Sequence, residues 1–599
     1  MTITQDQIYF SEFENPIWPL LAQVSRPSRY GGCEVRPGLR GLAPGDITVC
    51  LAFPDVYEIG MSYYGFQVLS PFLNSLPGVA ADRAYCPWPD MERLMAEKSI
   101  PLASIERSMP LAEFDVLGFT LQHELSYTNV LTMLSLSQIP LAADERGDAH
   151  PIVTAGGPGA FVPGPMSKFI DLFCVGEGEE TFSEMLETLR ETRGMKRGPR
   201  LAACAKIRGV YSPAFTPKGA RVERRFAASF DGSYTPSSMI IPSVSTVHDR
   251  AAVEVFRGCT RGCRFCQAGM TSRPVRERSP ESVIDSVREI VRSTGWEEVG
   301  LLSLASCDYS GIERVVEALT PALLKEGVTL GLPSLRMDGF SVGLAARLRK
   351  VRRGGLTFAP EAGTQRLRDV INKGIDEASI AACLNDAFSM GWERVKLYFM
   401  MGLPTETEDD LRGIVDLARS ALKTARQNGK KRASVAVSVA GFVPKAHTPF
   451  QWERQSGIDE LKEKGRFLKS LAGTSKALTL AYHEPEQTFL EGVLARGDER
   501  LSGVIEKAWR LGARFDAWTE TFDLPRWKEA FDALGVDPAS YTRERGEDEP
   551  LPWECVDAGV SREFLLSERA ASRAARTTPD CRAGCLGCGV NCGKGGLIK

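Results

Sequence analysis

Between residues 47 and 195, short apolar runs alternate with amphipathic segments: ITVCLAFP, YYGFQVLSPFLNSL, FDVLGFTLQ, NVLTMLSLSQIPL, PIVTAGGPG and FIDLFCVGEGEETFSEMLETL. The short runs predict buried strands and the longer segments predict helices. Strand and helix in turn predict a doubly wound, Rossmann-like domain over 47–195, preceded by an extension, 1–46. Residues 196–250 are weakly periodic and Pro/Ser-rich, as in SYTPSSMIIPSVS, and predict a linker. The alternation resumes with VEVFRG, EEVGLLSLA, VTLGLPSL, GGLTFAPE, RVKLYFMMGLP and SVAVSVAGFVP as strands. Between them lie helical patterns such as SPESVIDSVREIVRSTG, with Ser279 placed to cap and Pro280 at the first helical position. TETEDDLRGIVDLARSAL carries acidic residues in its first turn, which suits the helix dipole. The predicted fold class is α/β: the doubly wound domain, then a partial (β/α)6 barrel over 251–452. A small α-rich region over 453–560 and a tail over 561–599, a basic helix followed by four cysteines, complete the chain.

Composition changes this picture little. The 599 residues are 43% hydrophobic and 25% charged with mean hydropathy −0.15, as in ordinary globular domains. A net charge of −3 and a pI near 6.2 exclude an overall electrostatic pull toward nucleic acid or anionic membrane. MTITQDQIYFSEFENPIWPLL lacks the layout of a signal peptide, and no apolar run approaches bilayer length. The chain therefore reads as cytoplasmic, without a membrane partner. Of fifteen cysteines, Cys33, Cys50, Cys86, Cys174, Cys204, Cys307, Cys383 and Cys555 are scattered and read as small buried hydrophobes. The other seven form two tight groups, which in a reducing compartment point to metal rather than disulfide.

The first group, in VEVFRGCTRGCRFCQAGM, sets Cys259, Cys263 and Cys266 directly behind a predicted strand. That is the carboxyl end of the sheet, where such barrels gather their chemistry. Four thiolates close a tetrahedral zinc site; three leave a position open. A [4Fe–4S] cluster has four corner irons, and thiolates at C-x3-C-x2-C spacing hold three of them, leaving one for a small molecule. The amine and carboxylate of S-adenosylmethionine (SAM) suit that iron. An electron entering the sulfonium then breaks a C–S bond and releases a 5′-deoxyadenosyl radical. The plainer alternative is structural zinc with a distant fourth ligand. The aromatic Phe265, the upstream strand and the strand–helix units that follow favour the cluster.

On these residues the sequence resembles the radical SAM superfamily. The resemblance implies that Cys259, Cys263 and Cys266 hold the catalytic cluster and that the segment around Phe265 lies against the adenine of SAM. TFAPEAGTQRLRD resembles the fourth-strand motif whose glutamate contacts SAM, here Glu361, for which helix capping is the plainer role. KLYFMMGLPTETEDDL resembles the fifth-strand motif, with Gly402 and Pro404 shaping the loop. GFVPKAHTPFQW resembles the sixth-strand end of relatives that also carry a cobalamin domain. Ser334, Arg336 and Asp338 of LPSLRMD end a strand on the same face. Arg336 is expected to contact the cofactor, with a buried ion pair as the alternative.

LAFPDVYEIGMSYYGFQVL and VTAGGPGAFVPGPMSKFIDLFCVGEGEETF resemble the cobalamin-binding domain of B12-dependent radical SAM enzymes. Paired glycines after a strand, Gly156 and Gly157, let backbone approach a bulky ligand closely. The D-x-H-x-x-G loop by which one class of B12 proteins supplies a cobalt ligand is missing: His123 is preceded two positions earlier by Leu121. His123 reads as an ordinary partly buried histidine, and a cofactor-free α/β scaffold stays open beside cobalamin. From HEPEQTFLEGVLARGDERLSGVIEKAWRLGARFDAW onward the chain resembles the later segments of one branch of these proteins, with a cysteine-containing tail.

Cys581, Cys585, Cys588 and Cys592 repeat the spacing and add a fourth thiol, so their site should be closed; an auxiliary [4Fe–4S] cluster and a structural zinc both fit. The leading expectation is a radical SAM enzyme that generates a 5′-deoxyadenosyl radical and, with cobalamin, transfers methyl to an unactivated carbon. A low-potential donor such as flavodoxin or ferredoxin would supply the electron. The alternatives are an RNA-modifying, methylthiotransferase-like enzyme, which the basic stretches RLRKVRR (347–353) and NGKKR (428–432) allow, and a non-catalytic iron–sulfur assembly protein.

Overall fold

The computed structural model describes residues 15–32, 34–35, 40–227, 229–237, 239–332, 336–339, 355–592 and 597–598. Ser334, Cys33 and the 347–353 stretch lie outside them.

The amino-terminal strands are β1 (Ile47–Phe53), β2 (Val79–Tyr85), β3 (Val116–Thr120), β4 (Ile152–Gly156), β5 (Leu172–Cys174) and β6 (Val210–Tyr211). They form one sheet in the order β2-β1-β3-β4-β5-β6, parallel except for the antiparallel β6. The strands are apolar throughout because both faces are covered. Val49 and Leu51 join the apolar cluster on one face and Cys50 and Ala52 the cluster on the other. The second face lies under helices Pro485–Ala495, Arg500–Arg510 and Leu524–Ala533, whose Leu490, Val493, Leu501, Ile505 and Trp527 pack with Leu117, Phe119 and Val153. The sheet order reverses between β1 and β3, and ligands of doubly wound sheets sit at the carboxyl end of that switch.

The barrel strands are β7 (Ala251–Glu254), β8 (Glu298–Leu302), β9 (Thr329–Gly331), β10 (Leu356–Glu361), β11 (Arg394–Met401), β12 (Ser434–Gly441) and β13 (Leu478–Tyr482). They pair in parallel as β9-β8-β7 and β10-β11-β12-β13. β13 extends the sheet past the six strands that hydrophobic runs predict; Thr479 and Ala481 are exposed, so its apolar signal is half-strength. On β11, Val395, Leu397 and Phe399 pack with Ile414 and Ala418 of the helix Glu408–Gln427, while Lys396 and Tyr398 stand exposed on the opposite face. That face of β11 is open rather than packed at these two positions.

Helix starts follow the sequence. Ser279 Oγ accepts the Ser282 N–H at 3.3 Å, with Pro280 as first helical residue, and Thr407 with Asp410 forms a capping box at Glu408–Gln427. That helix docks through two glycines set back to back. A Cβ on Gly363 would stand 2.2 Å from the Asp410 carbonyl, and one on Gly413 would stand 2.8 Å from the Gly363 backbone. Gly363→Ala should therefore destabilise the chain by about 3 kcal/mol through overpacking. Thermal unfolding checks this: a lower Tm is expected, and an unchanged Tm would contradict the contact.

Candidate functional site

The cysteine loop leaves β7 through the short strand Phe256–Arg257, which pairs antiparallel with Val275–Glu277 and closes the loop as a hairpin. Gly258 takes φ +91°, and a Cβ there would stand 2.4 Å from the Pro274 carbonyl, so only glycine fits. Cys266 caps the helix Gln267–Thr271, its Sγ accepting the Gly269 N–H at 3.2 Å. Arg264, fully buried, anchors the loop from behind. It donates to Glu568 at 2.9 Å, to the Val370 carbonyl at 2.9 Å and to the Arg576 carbonyl at 2.8 Å. Phe265 packs on an apolar patch of Ala362, Leu367, Leu403, Phe442 and Phe450 at the carboxyl ends of β10, β11 and β12. Burial, reinforced by the neighbouring Cys263, raises the Cys259 thiol and pushes the Cys266 thiol up to about 12. Such thiols ionise only against a compensating cation.

Two cations supply part of it. Lys373 Nζ lies 3.1 Å from Glu361, and Arg336 donates to the Lys373 carbonyl at 2.8 Å and to Asp338 at 3.0 Å. Burial works against both charges, yet Glu361 and Cys263 hold Lys373 above the usual lysine range, and Cys263 and Asp338 do the same for Arg336. Glu361 sits at the irregular end of β10, at φ +69°, where the register slips against β11. Arg261 pairs with Asp308 and Asp338, completing a charged ring around the loop. Gly402 and Pro404 lie in the adjoining turn. The Gly402 N–H donates to Glu406 at 2.9 Å, Glu406 is held by Lys464 at 2.7 Å, and a Cβ on Gly402 would stand 2.9 Å from Ser456 Oγ. These two residues shape the turn that carries Leu403 onto the Phe265 patch.

A cavity of about 490 Å³ opens beside the loop. Its lining comes from both sheets: Gly118 in the middle of β3, Thr120, Gly156 and Gly157 at the carboxyl ends of β3 and β4, and Glu254, Gly258, Ala268 and Leu302 from the barrel. Gly157 takes φ +86°, and a Cβ there would stand 2.8 Å from Gln122 Nε2, whose amide donates to Tyr63 at 2.9 Å. Burial pushes the Tyr63 phenol up to about 12. Ion pairs rim the cavity. Arg257 binds Glu254 and Glu177 at 3.1 Å and Glu179 at 2.6 Å, and Arg276 binds Glu177 at 2.6 Å. Burial raises Glu254 despite Arg257, whereas at Glu177 the two arginines outweigh burial and hold the carboxyl below its usual range.

The other expected residues fall nearby. His123 lies outside the lining: its Nδ1 accepts the Leu125 N–H, and its Nε2 lies 3.6 Å from Glu491. Lys445 binds Glu124 at 2.7 Å and Glu491 at 2.8 Å, filling the centre of this acidic group. The tail folds back so that the Cys581 N–H donates to the Thr260 carbonyl at 3.2 Å, one residue past Cys259. Lys373, Lys445 and the Arg257 network carry no short motif; only their three-dimensional partners reveal them.

The family described as "Radical SAM superfamily" matches residues 253–418, and "Radical SAM proteins, N-terminal" matches residues 65–213. An uncharacterized protein of Methanocaldococcus jannaschii is 26% identical over 82% of this chain and 97% of its own length. A tRNA-2-methylthio-N(6)-dimethylallyladenosine synthase of Hydrogenobaculum sp. is 28% identical over 31% of this chain and 44% of its own length. Among solved structures, the cobalamin-dependent S-adenosylmethionine radical enzyme OxsB aligns at TM-score 0.47 and 12% identity, over 88% of this chain and 79% of OxsB. With its cysteine loop at the mouth of a parallel barrel and both domains matched, the chain is an enzyme of the radical SAM superfamily.

Proposed function

We propose that this enzyme holds cobalamin in the cavity between its two sheets and transfers a methyl group to an unactivated carbon. The observation that carries this reading is the shared lining. One cavity is walled by the glycine-rich edge of the amino-terminal sheet and by Gly258 and Ala268, which flank the cysteines. A broad ligand pressed onto Gly156 and Gly157 would there face the site of radical formation.

The superfamily's cofactors are a [4Fe–4S] cluster and SAM, which when bound and reduced supply the 5′-deoxyadenosyl radical. In this reading Cys259, Cys263 and Cys266 hold three irons. Phe265 presents its ring to the adenine, at the edge of the patch formed by Ala362, Leu403 and Phe442. Lys373 and Arg336 would contact the methionyl carboxylate, and Glu361 would accept a hydrogen bond from the methionyl amine. Holding both ends of the amino acid would orient SAM at the cysteine loop, and orientation of that kind lowers the barrier without new chemistry. The Arg257 network walls the side of the cavity nearest β7.

RNA modification is the second reading, favoured by the similarity to the tRNA-modifying synthase. NGKKR, however, follows the helix Glu408–Gln427 and leads into the amino end of β12, opposite the barrel mouth.

Under chemical reduction the chain should form 5′-deoxyadenosine from SAM, and each of Cys259→Ala, Cys263→Ala and Cys266→Ala should abolish it. Product chromatography decides this, and persistent cleavage in any variant would contradict the assignment. Lys373→Met should raise the SAM concentration for half-maximal cleavage at least tenfold, as losing a charge-assisted hydrogen bond of about 1.5–3 kcal/mol requires. Iron content should not change; an unaltered SAM dependence would remove Lys373 from the site. Gly157→Leu should lose cobalamin on gel filtration while keeping its iron, and full retention would place cobalamin elsewhere.

A further inference from the structure

A broad ligand seated on Gly156 and Gly157 turns one face to the cysteine loop and the other to the carboxyl edge of the amino-terminal sheet. Three segments meet at that edge. Tyr63 follows β1, Gln122 follows β3 and Gly157 follows β4, at the switch point of the strand order. Gln122 donates from Nε2 to Tyr63 Oη at 2.9 Å. A Cβ on Gly157 would stand 2.8 Å from that Nε2 and 3.0 Å from the Leu121 carbonyl, so glycine there makes room for the amide. The Tyr63 ring is held as closely. It packs on Phe53 and Phe66 at centroid distances of 5.7 and 6.2 Å. It also lies across the backbone of Gly65, where a Cβ would stand 2.7 Å from Cζ and 2.8 Å from Oη. Tyr63 is half-buried and lines the cavity, so a phenol of fixed orientation stands on the wall that the ligand meets.

The other groups able to bind a metal near that wall are engaged elsewhere. Glu177, Glu179 and Glu254 are tied to Arg257. Tyr64 hydrogen-bonds the Glu254 backbone, on the barrel side of the cavity. Cys174 is buried in the apolar cluster of the sheet. His123 lies outside the lining and is committed at both nitrogens: Nδ1 accepts the Leu125 N–H at 3.2 Å, and Nε2 faces Glu491 at 3.6 Å. A neutral imidazole used in this way has no lone pair left for a metal. Tyr63 is the residue that remains, and it stands beside the paired glycines.

We propose that the phenol oxygen of Tyr63 is the protein's ligand to the cobalt of cobalamin, on the face turned away from the cysteine loop, and that Gln122 orients it. The inference rests on the cobalamin site of the proposed function. When cobalamin binds, the bond from cobalt to the cofactor's own benzimidazole nitrogen breaks, the bond from cobalt to Tyr63 Oη forms, and the phenol proton passes to water. Cobalt keeps its oxidation state, so the exchange needs no oxidant or reductant. A metal ion makes a bound hydroxyl far more acidic. The Gln122 amide then donates to the phenolate, as the outer partner of a metal ligand commonly fixes its orientation. With one face of cobalt occupied by Tyr63, the face toward the cysteine loop is left for the methyl group.

The test is electron paramagnetic resonance of the full chain loaded with cob(II)alamin, whose cobalt lines report the axial atom. A nitrogen ligand splits each line into a triplet, and an oxygen ligand does not. Chain made with tyrosine carrying oxygen-17 in its phenol should show broadened cobalt lines, whereas ordinary chain in oxygen-17 water should not. Tyr63→Phe should still hold cobalamin through gel filtration but lose the tyrosine broadening, with water oxygen or the benzimidazole nitrogen in its place. Tyr64→Phe should keep the broadening, and Gln122→Leu should weaken it. If Tyr63→Phe fails to hold cobalamin, the labelled-tyrosine spectra of the unaltered chain and of Tyr64→Phe decide the matter. A nitrogen triplet in the unaltered chain, broadening there by labelled water, a four-coordinate signal, or loss of the tyrosine broadening in Tyr64→Phe overturns the assignment. Each of those results leaves the cobalamin site standing. An unaltered chain that retains no cobalamin overturns the proposed function, and the ligand falls with it.

Discussion

The geometry of this enzyme depends on Arg257. Its guanidinium binds Glu254 at the end of the first barrel strand and Glu177 and Glu179 at the start of the helix Gly178–Glu191. One side chain thereby fixes the carboxyl edges of two parallel sheets face to face. All four charges are largely removed from water, and breaking one partner of such a group costs about 3–5 kcal/mol. Arg276 doubles the tie to Glu177 from the other strand of the hairpin. Arg257, Glu254, Glu177 and Glu179 all line the cavity, so the tie between the two sheets lies on the wall that they share.

The carboxyl-terminal region closes the assembly from two directions. Its helices cover one face of the amino-terminal sheet, with Trp527 donating to Asp516 at 2.8 Å and Asp516 accepting from Thr128 at 2.7 Å. The Lys445 group joins the end of β12 to Glu124 after β3 and to Glu491 of the helix Pro485–Ala495. The final segment then returns to the cysteine loop, where Glu568 and the Arg576 carbonyl hold Arg264. The loop that would carry the reactive cluster is therefore supported by residues from the far end of the chain. The apolar patch under Phe265 supports it from the barrel side.

What was legible in the sequence is what depends on near neighbours. Strands buried on both faces announce themselves as apolar runs, Ser279 caps its own helix, and the three cysteines of the first loop fall within eight residues of one another. β13 was obscured because its exposed Thr479 and Ala481 interrupt the apolar signal. Lys373 was illegible for a different reason. It is an unremarkable basic residue until the fold brings Glu361 to it. The contact between the two cysteine groups joins residues 320 apart, Thr260 and Asp580, and nothing in either segment alone implies it. The glycines 156 and 157 were legible as a place for close approach, but the barrel wall that completes their cavity was not.

The central claim is that the cobalamin site and the cluster site open into one cavity. Electron paramagnetic resonance tests it most directly, in a chain whose tail cysteines are replaced by alanine and which is loaded with cob(II)alamin and carries the first cluster in its reduced form. Two paramagnets sharing that cavity should show spin–spin coupling, with both signals broadened or split relative to samples holding either centre alone. A spectrum that is the simple sum of the two isolated signals would contradict the shared cavity.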